Sequence, residues 1–149
     1  MRDIEVALVR VPEHKRDDEN ALRDKFNTLL DIVGGLAFVK PGDCVLIKPS
    51  VDSGKPYPAS TAPKLIAMLI DLLVKKNPSA ILVGTEPPLC SDAKKTLRKT
   101  GIESAVKEAA KTYAPLPIKL ILFNDYVWRE RYPGPDMQDH WEMTPGKHL

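Results

Sequence analysis

At 149 residues, with 43% hydrophobic and 28% charged side chains, the chain has the size and balance of one globular domain, which argues against disorder and against a membrane protein. Its 22 basic and 20 acidic side chains leave a net charge of +2, so no general field gathers nucleic acid. The longest apolar stretch, Leu65 to Val74, is broken by Asp71 and falls far short of the roughly 20 residues that cross a bilayer.

The run Ile4 to Val11, IEVALVRV, is rich in branched residues and closes at Pro12, which predicts a first strand. Arg2, Asp3 and Glu5 interrupt its start, unlike the basic-then-apolar order of a secretory signal. Asp17 or Asp18 can cap a helix on which Leu22, Phe26, Leu29, Leu30 and Val33 recur at steps of three and four, and Gly34-Gly35 stops it. After the turn Lys40-Pro41-Gly42-Asp43, the segment CVLIKPS opens with an apolar run suited to a strand buried on both faces.

A helix over about Thr61 to Lys76 comes next. It has a hydroxyl cap, a proline in its first turn, and an inner face of Leu65, Ile66, Met68, Leu69, Leu72 and Leu73. Asn77-Pro78 ends it. Ala80 to Gly84 is the next predicted strand, and the prolines of TEPPLCSD then delay helix until Ser91 or Asp92 can cap one. Two short helices split by Gly101 come after it, the second with Ile102, Ala105, Val106, Ala109, Ala110 and Tyr113 at helical spacing, before a fourth strand at Ile118 to Phe123. Strands alternating with helices predict an α/β fold, a three-layer arrangement of a mostly parallel sheet of about four strands with helices on both faces. From Asn124 to Leu149 prolines, glycines and both tryptophans are scattered without period, so residues 124–149 read as an irregular tail to a domain spanning 1–123.

Cys44 and Cys90 stand apart without a CxxC pair, the pattern of reduced thiols, and the chain reads as cytoplasmic. His14, His140 and His148 have no ligand spacing, so neither zinc nor an iron–sulfur cluster is expected on this chain. No GxGxxG or GxxxxGK[ST] cradle is present.

The segments LAFVKPGDCVLIKPS, PASTAPKLIAMLIDLL, AILVGTEPP and KTLRKTGIESAVKEAA, in this order over about Ile4 to Phe123, resemble the domain of unknown function 362 family. The resemblance implies an amino-terminal half only. Members of that family continue into a second half, and many append cysteine-rich ferredoxin-like clusters, so an iron–sulfur cofactor belongs to longer relatives and a partner chain could supply the missing half. One departure stands out: the family's Lys-Pro-Asn strand end is Lys48-Pro49-Ser50 here.

In open parallel sheets, ligands gather outside the carboxyl ends of the strands, where helix amino termini offer N–H groups. That edge is expected to carry Arg10, Lys48, Ser50, Thr85, Glu86 and Asp125, with Ser60 and Thr61 at the start of the next helix. Lys48 and Arg10 suit a phosphate or carboxylate, so a small anionic ligand or cofactor is the leading expectation, tied to redox chemistry completed by other domains. The competing reading pairs Lys48 with Glu86 structurally. Glu86 could also serve as a general base in a stand-alone hydrolase or transferase, although ion pairs often mimic such sites. A third reading is a non-catalytic interaction module or subunit of a larger assembly. Cys90 before a helix, the basic run Lys94, Lys95, Arg98 and Lys99, and Trp128, Tyr132 and Trp141 each have a structural explanation that outweighs a functional one.

Overall fold

The computed structural model describes residues 6–51, 54–85, 92–123, 126–129 and 142–145. Three of the apolar runs form strands: β1 (Cys44–Ile47), β2 (Ala80–Thr85) and β3 (Ile118–Leu122). They make one sheet in the order β1-β2-β3, and both pairings are parallel. A parallel pair needs a crossover. α2 (Pro63–Val74) supplies it between β1 and β2, and α3 (Ala93–Lys99) with α4 (Ile102–Thr112) supplies it between β2 and β3. The protein is therefore α/β.

Register decides which side chains share a face, because successive residues of a strand point to opposite sides. Val45, Ile81 and Ile118 lie in one row, and Ile47, Val83 and Leu120 in the next row of the same face. This is the face that the helices cover. Ile66, Ile70 and Leu73 of α2, Leu97 of α3, and Ile102, Val106 and Ala109 of α4 join Ile81, Val83 and Ile118 in one buried cluster. The alternate row, Leu46, Leu82 and Lys119, lies on the other face and outside that cluster. Leu46 is 45% exposed, so the double burial expected of its strand is not realised.

Local signals place the helices. Asp18 accepts a hydrogen bond from Ala21 N at 3.1 Å to start α1 (Glu19–Ile32), and Asp92 accepts one from Lys95 N at 3.1 Å to start α3. Gly35 N donates to Leu30 O at 2.7 Å where α1 ends. Gly101, at φ +80°, divides α3 from α4 in a conformation open to glycine at no steric cost. Gly84 serves differently: a methyl group there would lie 2.5 Å from Ile121 Cγ1 and 2.6 Å from Phe123 Cε1.

Three expectations change. Residues 6–12 form no strand, and Leu8 is 90% exposed; Ile4 and Glu5 lie outside the described residues. The residues have strand propensity, but a strand is made by its partner's hydrogen bonds, and among the described residues no backbone bond is made to residues 6–11. α1 buries none of its apolar residues fully, so its periodicity reflects a half-covered helix. In the region expected to be irregular, β4 (Tyr126–Arg129) and β5 (Glu142–Pro145) pair antiparallel, with Trp128 opposite Met143. Cross-strand pairing can arise where strands of four residues are too short to show a period. Tyr132 and Trp141 lie outside the described residues.

Candidate functional site

The carboxyl edge of the sheet begins where β1 ends. Ile47 sits opposite Val83, so β2 runs two residues further, to Thr85. Lys48 comes directly after β1 and is exposed, whereas Pro49 behind it is buried. Among the described residues no carboxylate pairs with Lys48; Glu86, its suggested partner, lies outside them, as do Asp125 and Cys90.

Ser50 and Thr61 are clasped together. Ser50 N donates to Thr61 Oγ1 at 2.9 Å, and Thr61 N donates to Ser50 O at 2.9 Å. These two bonds join the chain leaving β1 to the chain entering α2. They also explain why α2 lacks the expected hydroxyl cap: the Thr61 oxygen accepts from Ser50, and Ala62 at the cap position contributes no side-chain bond. Pro63 at the first position of the helix removes one of the N–H groups that would need a partner. The neighbouring Ser60 hydroxyl is buried and donates to Lys55 O at 2.6 Å, so its proton is not offered to a ligand.

Of the sequence-predicted residues, Lys48, Ser50 and Thr61 thus come together at one strand end, and Thr85 is buried at the end of the adjacent strand. Arg10 does not join them through strand pairing. It is exposed on the segment that forms no ladder with β1, and without that ladder the strand-end position expected of it is lost.

A second polar constellation escaped the sequence reading. Arg23 on α1 donates to Asp71 Oδ2 at 2.8 Å, and Tyr113, which ends α4, donates to Asp71 Oδ1 at 2.8 Å. Glu19 adds a 3.6 Å ion pair to the same guanidinium. The hydrogen bond to Asp71 is the main cause that raises the pKa of Arg23, and the bond to Asp71, then burial, raises that of Tyr113. The cluster borders a groove of about 470 Å³ shared by α1, α2 and α4. Its acceptor oxygens are both engaged by donors, which makes it a three-helix tie. The one sequence signal for it was the charge of Asp71 inside an apolar run.

On α3, Lys94, Lys95, Arg98 and Lys99 are all exposed, as a solvated face requires. Arg98 and Lys107 both pair with Glu103, and the bond from Lys107 is the largest cause of that carboxyl's lowered pKa. Among the described residues no group of three His, Cys, Asp or Glu side chains could hold a metal ion, and no helix is long and apolar enough to cross a membrane. No family model, no curated protein and no solved structure matches the chain.

Proposed function

We propose that the protein binds a small anionic ligand or cofactor at the carboxyl edge of its sheet, with Lys48 as the charged contact. The observation that carries this reading is the Ser50–Thr61 clasp, which sets an exposed lysine at the exit of a parallel strand and ties that exit to the chain entering α2. Such edges are where parallel sheets take ligands, and an exposed ammonium there matches phosphate or carboxylate. Thr85, at the end of the neighbouring strand, would border the same site. The resemblance noted in the sequence adds the proposal that the ligand serves redox chemistry completed by other domains, which a partner chain would supply.

The test is a thermal-shift survey of phosphates, nucleotides and organic acids, since a ligand that favours the native state raises the melting temperature. Lys48→Met keeps the apolar stem and removes the charge, so folding stability should stay within about 1 kcal/mol of the parent. Affinity for an anion found in the survey should fall by about 1.5–3 kcal/mol, the range of a charge-assisted hydrogen bond. Unchanged affinity together with a large loss of stability would make Lys48 a structural residue and remove the site.

A further inference from the structure

The two edges of the sheet are not alike. On β3 the exposed Lys119 stands in the edge strand, and a lysine there discourages pairing with another chain. β1 reads Cys-Val-Leu-Ile, with no charge and no proline. Its only partner among the described residues is β2, so among them one row of its backbone groups has no strand beside it. Leu46 on it is 45% exposed. An apolar edge of this kind is a template for a further strand.

The same molecule carries a segment suited to it. Residues 6–11 alternate between exposed and half-buried, with Val6 76% and Leu8 90% exposed, and among the described residues they make no backbone hydrogen bond to any other. Six extended residues span about 20 Å, and four span about 13 Å, so the segment covers the whole of β1. The connector after it is turned: Lys15 N donates to Pro12 O at 2.9 Å, Arg16 N to Glu13 O at 3.2 Å, and Asp18 N to Lys15 O at 3.2 Å, before Asp18 caps α1. The segment before these turns stands unpaired among the described residues, so its own chain does not occupy the edge of β1 with it.

We propose that two copies of the chain exchange these segments, Val6–Val11 of each adding as a strand to the open edge of β1 in the other. The exchange is isologous, so it closes at two copies and covers β1 in both. Pairing with Leu8 on the side of Leu46 brings together two leucines that are exposed in the single chain. This assembly does not depend on the anion site at Lys48.

Sedimentation and light scattering from micromolar to near-millimolar protein should report the mass of two chains. Val9→Pro, which removes an amide and clashes with a ladder, and Leu8→Lys, which places a charge on the new strand, should each shift the mass to one chain with unchanged circular dichroism. A mixture of differently isotope-labelled wild-type copies gives a readout that needs no variant: nuclear Overhauser contacts between residues 6–11 of one copy and 44–47 of the other. A wild-type mass of one chain throughout, including one in which slow amide exchange shows residues 6–11 closed on their own β1, overturns the proposal. So does a two-chain mass that survives both substitutions in folded protein, or one without the contacts between copies.

Discussion

Residues 6–43 and residues 44–123 obey the same sequence patterns and reach different ends. The later region has three apolar runs that found one another as strands, and its helices bury Ile70, Leu73, Leu97, Ile102 and Val106 almost completely. The earlier region has a strand-like run rich in branched residues and an amphipathic helix capped by Asp18, yet it buries only Val39. Local propensity is satisfied in both, and what separates them is whether a partner surface is present. Stability in this protein should therefore be concentrated after residue 43.

The largest test of that division is a matched pair of truncations. Ile70 has no exposed surface and sits in the helix between β1 and β2, so Ile70→Ala should cost about 2–5 kcal/mol in denaturant unfolding. Leu29 has the same helical spacing in α1 but is only half-buried, and Leu29→Ala should cost about 1 kcal/mol or less. Equal losses would mean that the earlier region is packed as tightly as the later one. Leu69, central in the face expected from the sequence, is itself only partly buried at the margin of the cluster and should fall between these two.

A smaller effect probes the face of the sheet away from the main cluster. Gly84 faces Ile121 and Phe123 at distances no Cβ tolerates, so Gly84→Ala should destabilise by about 1–3 kcal/mol through overpacking. A neutral result would show that Ile121 and Phe123 move aside freely and that this face is packed no better than α1.

How far these arrangements were legible in the sequence depends on the range of each signal. Runs of branched residues marked β1, β2 and β3, and Asp18, Asp92 and Gly101 marked helix boundaries, because each acts within a few residues of itself. The run at residues 4–11 obeys the same rule and its described part forms no strand, since composition states a capacity for pairing and not its fulfilment. Thr61 was recognisable as a capping residue, but its oxygen went to Ser50, eleven positions back. Arg23 and Tyr113 lie 48 and 42 positions from Asp71, and no periodicity within one helix connects them.

That last cluster is one of the ties between the two regions, and its titration sharpens the comparison most finely. Tyr113 donates to Asp71, which already holds Arg23 of α1, so the phenol is favoured in its neutral form and its folded pKa lies above the ordinary value of about 10. A raised folded pKa means that the unfolded chain loses its proton first. The stabilisation is thus fully present below about pH 10 and is lost as the pH rises through the folded value. Because the phenol is partly exposed, the effect on global stability should be small, and a local probe is more telling. Amide exchange in α1 should quicken on passing into that alkaline range in the parent, relative to exchange in α2, after correction for the intrinsic dependence on pH. In Tyr113→Phe the extra step should vanish, while α1 at neutral pH remains held by Arg23. If the alkaline step persists in the phenylalanine variant, another group loosens α1, and Asp71 ties the helices through Arg23 alone.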